Sequence, residues 1–240
     1  MKDVICLETV SSTNTYLKGL ADAPSGTVVI SETQTGGVGR YKRTFHSPKG
    51  GIYLSYLFRD PICGAQYLTP IAGVCVKRAI ESLCGVNVGI KWVNDLILGN
   101  KKICGILAES VTDGKTSRTI LGIGVNVNTA KDGFRGDLSD IASSLLIETG
   151  KLTDEGALCA EIIKNLDGIT ADRAGYLQEY RKSCVTVGKD VVFYSQDGTH
   201  EGRVLGVDDS FSLEILTKNG EKRSIFSGEV STKPLQNSEI

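Results

Sequence analysis

The stretch with the clearest capacity for chemistry spans 32–48 and reads ETQTGGVGRYKRTFHSP. In it three glycines precede three cations: Gly36, Gly37, Gly39, Arg40, Lys42 and Arg43. Glycines let a backbone approach a ligand closely, and successive N–H groups of such a loop can form a concave anion site. Arginines add fork-shaped donors that suit phosphate or carboxylate. The composition predicts an anion-binding loop, although a solvated surface loop can have the same composition.

The standard nucleotide-binding patterns do not fit this loop. Gly37-x-Gly39 is followed by Lys42 where the dinucleotide fingerprint needs a third glycine, and no G-x-x-x-x-G-K-[ST] occurs in it. A second glycine run, ILGIGVNVN at 120–128, also lacks the third glycine. Its glycines either leave room for a flat ring or belong to a strand with a bulge. A role with phosphates therefore needs support from the rest of the chain.

Short polar side chains and one lysine are further candidates for ligand binding or catalysis. Ser12, Thr13 and Asn14 stand at a predicted helix start, where such residues either cap the backbone or face a ligand. Gln34 follows the strand that precedes the loop. Lys102 lies amid apolar residues of a predicted strand. It is either a surface lysine whose charge reaches the solvent or a reactive residue.

The elements that must position these residues alternate between β and α patterns. The predicted strands before the helical region are 4–7, 27–32, 51–59, 86–93 and 120–128. Thr69 and Pro70 predict the start of a helix that continues to about Cys84. The pattern from Leu138 to Tyr180 is helical, with Ser143–Ser144 where a helix can begin.

Turn signals define the remaining β structure. Gly99–Asn100 predicts a hairpin whose second strand runs through 101–107. After Arg181, short β runs separated by turn signals such as Asn219–Gly220 predict a small barrel or sandwich. We place a domain boundary near 182–187 and expect the tail after Lys233 to be loose.

Composition excludes several classes of protein. The chain has 240 residues and a formal net charge of −1, so no overall field favours nucleic acid or an anionic membrane. It has no signal-peptide pattern and no apolar run of the roughly 20 residues that a membrane span needs. Its seven cysteines are scattered without C-x-x-C spacing, which argues against a disulfide framework or a zinc site and predicts reduced thiols in the cytoplasm.

Three stretches taken together resemble the biotin protein ligases, or biotin–[acetyl-CoA-carboxylase] ligases. They are S-T-N at 12–14, Q-T-G-G-V-G-R at 34–40 with S-P at 47–48, and K-W-V-N-D-L at 91–96 with K-I-C-G-I-L at 102–107. Further matches are G-I-G-V-N-V-N at 122–128, A-S-S-L at 142–145 and F-S-G-E-V-S at 226–231. The resemblance covers nearly the whole chain, and the motifs follow in the right order.

The resemblance implies an α+β fold. A mixed-sheet, class II synthetase-like catalytic domain at 1–184 would be followed by an SH3-like β-barrel at 185–240. It also implies an ATP-dependent reaction in which biotin and ATP give biotinyl-5′-AMP and pyrophosphate. A lysine of a biotin carboxyl carrier protein then accepts the biotinyl group. ATP use implies Mg²⁺, and no acidic cluster in the sequence fixes its ligands.

The resemblance assigns roles to the candidate residues. The catalytic set is Arg40, Lys102 and Asp95. The biotin-binding set is Ser12, Thr13, Asn14, Gln34, Gly37, Val38, Gly39, Arg40 and Lys102. The ATP-binding set is Arg40, Arg43, Phe45, Lys91, Asn94, Lys102 and Asn126.

Electrostatics explains why such chemistry needs these cations. Adenylation joins two anions, so Arg40 is expected to bridge the biotin carboxylate and the α-phosphate. Lys102 would hold the carboxylate and the acyl oxygen, and Phe45 would offer a face to adenine. Asp95 would orient Lys102, or assist the metal or the acceptor lysine.

The chain departs from the family pattern at three positions. Val38 replaces a common arginine, Lys42 a frequent glycine and Val93 a frequent proline. About ten residues precede the S-S-T-N segment, too few for the helix-turn-helix module of some members, so we expect no DNA binding. A homodimer is compatible with the sequence.

Two other functions are compatible with much of this pattern. A lipoate–protein ligase would use the same adenylation logic with a more apolar acid, but the polar set at 12–14 and Gln34 favours a ureido ring. A biotin-binding regulator without activity would have no need of Arg40 and Lys102, and both are present.

Overall fold

The computed structural model describes residues 3–112, 117–195, 198–228 and 230–232. The strands are β1 Val4–Val10, β2 Val28–Gln34, β3 Gly51–Arg59, β4 Gly89–Lys91, β5 Asp95–Leu98, β6 Lys101–Thr112, β7 Ser117–Asn126, β8 Asp190–Ser195, β9 Gly198–Val207, β10 Leu213–Thr217, β11 Lys222–Ile225 and β12 Val230–Thr232. The helices are α1 Thr13–Gly19, α2 Leu68–Cys84, α3 Leu138–Ile141, α4 Leu145–Thr149, α5 Glu155–Asp167 and α6 Ala174–Ser183. The expected loose tail lies outside the described residues.

The first seven strands form one mixed sheet in the order β1-β2-β3-β7-β6-β5-β4. Strands β1 and β2 are parallel, and the other neighbours are antiparallel. The mixed sheet predicted from the sequence is therefore confirmed. The central strands β3 and β7 are almost wholly buried, as expected for near-continuous apolar runs covered on both faces.

Helices cover both faces of this sheet. Helix α2 buries Ile71, Val74 and Cys75 completely and shares one large apolar core with α5 and α6. Helix α1 covers the opposite face through Leu17, which packs in a smaller cluster with Val29 and two other apolar residues. The polar residues at the start of α1 are thereby held against the sheet.

The start of α2 differs from the sequence-based prediction. Thr69 was expected to cap the helix with Pro70 in its first position, but the helix begins at Leu68 and its N-cap is Tyr67, without a side-chain cap. Pro70 thus occupies the third position, where its missing N–H still has no intrahelical partner to lose. The helix ends at Gly85, whose φ of +67° fits a left-handed C-cap.

The hairpin between β5 and β6 has the predicted two-residue turn, with Gly99 at φ +61°. The predicted strand at 86–93 is shorter, because only Gly89–Lys91 pairs and the chain then turns through Trp92. Ser144 caps α4 by accepting the N–H of Ile147 at 3.2 Å, which confirms a helix start at the paired serines.

The last five strands form a second, antiparallel sheet in the order β11-β10-β9-β8-β12. It is open within the described residues, since β11 and β12 lie at opposite edges. The second sheet is joined to the first through the segments that flank its strands. Cys184, which follows α6, pairs with Ile90 on β4, and Trp92 Nε1 donates to the carbonyl of Phe211 before β10 at 2.8 Å. Trp92 and Phe211 are buried in the same core cluster, so apolar packing continues from one sheet into the other.

Within the described residues, no helix has the length and apolar composition needed to cross a membrane.

Thiol accessibility gives a test of this packing. At about pH 8, an aromatic disulfide reagent should label exposed Cys6 quickly and half-buried Cys84 slowly, and should spare the other five cysteines, which are buried. Burial raises the pKa of Cys75 to about 12 and that of Cys159 to about 11, so their thiolates form only as the pH rises toward those values. Denaturant should release all seven, whereas rapid labelling of several buried thiols in native buffer would contradict the packing.

Candidate functional site

A cavity of about 590 Å³ opens where the 35–48 loop lies over the mixed sheet. Its walls come from the start of α1, the loop, the β4–β5 turn, β6, β7 and the segment that includes α3. The remaining wall comes from the residues before β8 and from β12, which are neighbours at one edge of the second sheet. It brings together nearly all of the predicted site residues: Ser12, Thr13, Asn14, Gln34, Val38, Gly39, Arg40, Arg43, Phe45, Lys91, Asn94, Asp95, Lys102 and Asn126.

Gly37 is the one predicted site residue that is absent from the cavity wall. A Cβ atom at this position would lie 2.5 Å from the carbonyl oxygen of Phe45 and 2.7 Å from Ser47 Oγ. The Phe45 N–H donates to the Gly37 carbonyl at 2.8 Å. The glycine lets the two arms of the loop meet, which is a structural reason for it.

The predicted polar set forms a connected group on the cavity floor. Gln34 Oε1 accepts from the Thr13 N–H at 2.8 Å and lies 3.1 Å from Thr13 Oγ1. Gln34 Nε2 donates to Ser47 Oγ at 3.0 Å. Ser12 caps α1 by accepting from Thr15 N at 3.4 Å and also lines the cavity, so the capping and ligand-facing interpretations both apply.

The tip of the loop has two consecutive non-glycine residues in left-handed backbone conformation. Tyr41 has φ +56° and Lys42 has φ +59°. Such conformations cost about 1 kcal/mol or more per residue outside glycine. A glycine would adopt this conformation without strain, which gives a physical reason for the glycine that is frequent at position 42 in the family pattern.

Arg40 projects from the loop into the cavity and is held by three oxygen atoms. Its guanidinium donates to Asn94 Oδ1 at 3.3 Å, to Tyr41 Oη at 3.2 Å and to the Gly228 carbonyl at 2.9 Å. Asn94 is in turn fixed because its Nδ2 donates to the Ile106 carbonyl at 3.0 Å. None of these partners is a carboxylate, so the positive charge of Arg40 is not neutralised by them.

Lys102 reaches the same cavity from β6 and is paired with Asp95 on β5. Lys102 Nζ lies 2.7 Å from Asp95 Oδ1. Among the described residues, that oxygen accepts no aligned hydrogen bond, so the contact is one of charge rather than of directed bonding. The functional interpretation of Lys102 is thus favoured over a snorkelling surface lysine.

Phe45 occupies a slot made by two glycines. A Cβ at Gly124 would lie 2.4 Å from the Phe45 ring, and one at Gly105 would lie 2.9 Å from it. Lys102 Nζ lies 5.7 Å from the ring centroid. The glycine run on β7 therefore does make room for a flat ring, but the ring in this structure belongs to the protein. The alternative of a bulge does not apply, because β7 pairs in continuous register on both sides.

The other glycine of β7, Gly122, and Asn126 also have local partners. A Cβ at Gly122 would lie 2.4 Å from Asn14 Oδ1, so the Asn14 amide packs against bare backbone. Asn126 is buried and donates from Nδ2 to the Ser143 carbonyl at 2.9 Å. Asn126 therefore anchors the segment before α4 at the cavity wall.

Positive charge dominates the cavity wall. Five cations, Arg40, Arg43, Lys91, Lys102 and Lys189, face two carboxylates, Asp95 and Asp140. Burial raises the pKa of the Cys104 thiol well above its ordinary value, although nearby Lys102 acts in the opposite direction, so this thiol stays protonated at neutral pH. The charge of the wall is therefore suited to a polyanionic ligand.

No group of three or more metal-ligating side chains was found among the described residues. The two carboxylates of the cavity are Asp95, which is paired with Lys102, and Asp140, which is exposed. Mg²⁺ is commonly held by one or two carboxylates together with substrate phosphates, so this donor set fits an ion that arrives on phosphates.

Sequence reasoning missed several wall residues. Phe134, Leu138 and Ile141 form an apolar side of the cavity, and Ile141 is 64% exposed. Their exposure to the cavity is a property of the fold, so the sequence carried no local signal for them. Lys189 and Gly228 come from the second sheet, and no local pattern indicated that they would return to the first.

Comparisons with known proteins agree with one another. A family model described as "Biotin/lipoate A/B protein ligase family" matches residues 6–126. The bifunctional ligase/repressor BirA of Bacillus spizizenii is 33% identical over 238 residues, or 95% of this chain and 73% of that protein. The biotin–[acetyl-CoA-carboxylase] ligase of Mycobacterium tuberculosis is 30% identical over 200 residues, or 75% and 72%.

A solved structure extends the similarity to nearly the whole fold. The biotin protein ligase of Aquifex aeolicus in complex with biotin and ATP matches with a TM-score of 0.83 at 28% identity. The match covers 97% of this chain and 99% of that one.

The glycine slot can be tested by filling it. Gly124→Ala places a methyl group against the Phe45 ring, so we expect a loss of about 1–3 kcal/mol in the free energy of unfolding, measured with urea. Gly175→Ala is the matched control, because Gly175 lies in α6 with no atom within 4 Å of the added Cβ and should be neutral or stabilising. Equal stability of both variants would mean that the slot is not tightly filled.

Proposed function

The chain belongs to the biotin/lipoate A/B protein ligase family, and we propose that it activates biotin with ATP and transfers the biotinyl group to a lysine of a biotin carboxyl carrier protein. The prediction of an ATP-dependent biotin protein ligase is confirmed by the relatives and by the matching structure with biotin and ATP. The carrier protein and the assignment of residues are our proposals.

One observation supports the assignment most directly. A single cavity holds a polar floor of Thr13 and Gln34 and, beside it, the cations of Arg40 and Lys102. A bicyclic ureido ring with an acidic tail needs both, because the ring presents donors and an acceptor while the carboxylate needs positive charge. A purely apolar ring would make no hydrogen bond with this polar floor.

The first half-reaction joins two anions. A biotin carboxylate oxygen attacks the α-phosphorus of ATP, the bond from that phosphorus to the bridging oxygen breaks, and pyrophosphate leaves. We assign Arg40 to the carboxylate and α-phosphate together, because its charge is not neutralised by its present partners. Lys102 is assigned to the carboxylate, with Asp95 as the group that positions its ammonium.

The second half-reaction needs no enzyme nucleophile. The amine of the acceptor lysine attacks the acyl carbon, the bond from that carbon to the phosphate oxygen breaks, AMP leaves and the amine releases a proton. Lys102 near the acyl oxygen stabilises the negative charge that develops there. The loop above the cavity keeps water from the mixed anhydride.

The nucleotide would occupy the basic and apolar parts of the wall. We assign Lys91, Asn94 and Arg43, which belong to the ATP-binding set implied by the resemblance, to the phosphates. Adenine fits against the apolar side of the cavity, formed by Phe134, Leu138 and Ile141, since Phe45 fills the glycine slot. Asn126 acts by holding the segment that leads to α4. Mg²⁺ bound to ATP would neutralise phosphate charge.

The proposed whole-chain organisation follows from the same resemblance. We propose a catalytic domain at 1–184 and an SH3-like barrel at 185–240, which the five-stranded antiparallel order of the second sheet supports. The seven free thiols support a cytoplasmic location. A homodimer and the expected lack of DNA binding stay predictions.

The activity itself is tested by mixing the protein with biotin, MgATP and a carrier-domain fragment. We expect biotinylated fragment and release of pyrophosphate. Lipoate in place of biotin is the control for the alternative ligase and should give neither. Pyrophosphate release with lipoate alone would favour the alternative, and absence of both products with biotin would remove the ligase assignment.

Separate variants test the division of labour among the cations. Lys102→Ala should slow pyrophosphate release in single-turnover assays by about 10²–10³-fold, because it removes a charge beside the reacting oxygen. Arg43→Ala should slow it by about tenfold, since its contact is with the more distant phosphates. Lys164→Ala is the control, because Lys164 is exposed on α5 and pairs with Glu161. Equal and small effects of Arg43→Ala and Lys102→Ala would show that we assigned the acyl pocket to the wrong residues.

A further inference from the structure

The segment that carries the apolar side of the cavity is only lightly attached to the rest of the protein. This segment, 131–141, is described throughout and includes α3, and Phe134 is its only buried residue. Neither of the two apolar core clusters includes any of its residues. Phe134, Leu138 and Ile141 nevertheless line the cavity. Packing in the apolar core therefore does not account for the position of this wall.

Within the described residues, one hydrogen bond joins this segment to a separate element. Lys101 Nζ, at the start of β6, donates to the carbonyl of Ser139 in α3 at 2.8 Å. The other hydrogen bonds of the segment are local turns, such as the one from Ser139 N to the Gly136 carbonyl at 3.0 Å. The Lys101 side chain is thus the tether between α3 and the mixed sheet in this part of the chain.

Helix geometry explains why the Ser139 carbonyl needs this donor. In a helix that continued, it would accept from the N–H of Ser143, four residues further along. The Ser143 N–H donates instead to the carbonyl of Lys102 at 2.9 Å. The Ser139 carbonyl is therefore left without its helical partner, and the ammonium of Lys101 takes that place. Two consecutive residues of β6 thus replace the next hydrogen bond of the helix.

The two lysines have different relations to the ligand cavity. Lys102 lines it and its Nζ lies 2.7 Å from Asp95 Oδ1, whereas Lys101 is absent from the wall. Lys101 can therefore act on a ligand through α3 but not by contact. Because the tether starts from the residue before Lys102, it also sets where the apolar wall stands relative to the Lys102 ammonium.

We propose that Lys101 is a positioning residue, which holds Leu138 and Ile141 in place as a wall for adenine before the nucleotide binds. The inference rests on the proposed function, which assigns adenine to this side of the cavity. A wall that is already in place spares the nucleotide the cost of ordering it. The simpler interpretation is a half-buried lysine that covers a surface turn and contributes to stability alone.

Removal of the donor tests the tether. Lys101→Met removes the ammonium and keeps most of the chain length. At saturating biotin, we expect the KM for MgATP in pyrophosphate release to rise by about tenfold, the scale of one hydrogen bond from a charged donor. The kcat and the Kd for biotin should stay nearly unchanged. Lys101→Arg keeps a donor and should recover most of the loss. An unchanged KM for MgATP would overturn the proposal.

A competitor without a base separates positioning from loss of charge. Inorganic tripolyphosphate carries the phosphates of ATP but no adenine. Its inhibition constant against MgATP should be the same for Lys101→Met and the unmodified protein, because the apolar wall does not contact phosphates. An inhibition constant that rose in step with the KM would mean that Lys101 acts by its charge, and would overturn the positioning role.

The matched control is Lys131→Met. Lys131 is exposed in the same segment and lies outside the cavity wall. We expect its KM for MgATP to equal that of the unmodified protein. Hydrogen exchange of the backbone amides at 138–142 should be faster in ligand-free Lys101→Met and unchanged in Lys131→Met. Equal exchange in both variants would show that Lys101 does not hold α3.

A double-mutant cycle identifies the side chains through which Lys101 acts. Leu138→Ala with Ile141→Ala removes the two apolar groups that the tether is proposed to position. Lys101→Met should then add little to the KM for MgATP, and additive effects would overturn the proposal. Lys101→Ala supplies the same comparison if Lys101→Met fails to fold.

The outcomes distinguish this inference from the function on which it rests. If the unmodified protein releases pyrophosphate from ATP with biotin and Lys101→Met has the same KM for MgATP, the positioning role is overturned and the proposed function stands. If the unmodified protein releases no pyrophosphate, both fail. Thermal unfolding of each variant confirms that folded proteins are being compared.

Discussion

The whole site depends on the close approach of side chains to bare backbone on two adjacent strands. Gly105 on β6 and Gly122 and Gly124 on β7 leave the sheet without side chains where the loop and the start of α1 press on it. Because the backbone there is exposed to contact, Phe45 and Asn14 lie where a Cβ would otherwise stand. The positions of Phe45 and Asn14 at the cavity wall are thus set by the absence of three Cβ atoms.

Charge is arranged around this floor without being cancelled. Arg40 is held by neutral oxygens, whereas Lys102 is held by a carboxylate. The first arrangement keeps the full attraction for an anion, and the second fixes a lysine chain that would otherwise be mobile. Arg40 therefore keeps its net positive charge, whereas the position of the Lys102 ammonium is fixed by a carboxylate.

The sequence carried the main features of the fold because its signals were local. The apolar run of β3, the turn at Gly99–Asn100 and the cap at Ser144 are each determined within a few residues. The predicted start of α2 was wrong by about two residues, since Pro70 is tolerated anywhere in the first turn.

The candidate site was predictable where it forms motifs and unpredictable where it depends on packing. The loop cations and the polar set at 12–14 were found by residue type and order. The partner of each glycine, such as Phe45 for Gly124, is a contact over many residues of separation and leaves no pattern in the sequence.

The contact between Arg40 and the Gly228 carbonyl has a consequence for how this chain can be divided. That oxygen belongs to the turn before β12, 188 residues away from the arginine along the chain. A fragment ending before the second sheet would keep the mixed sheet and the motifs at 12–14, 34–40 and 91–107, but it would lose one of the atoms that hold the guanidinium. The chain after α6 thus forms part of the cavity wall, and a cut near 182–187 would remove wall residues together with a hydrogen-bond partner of Arg40.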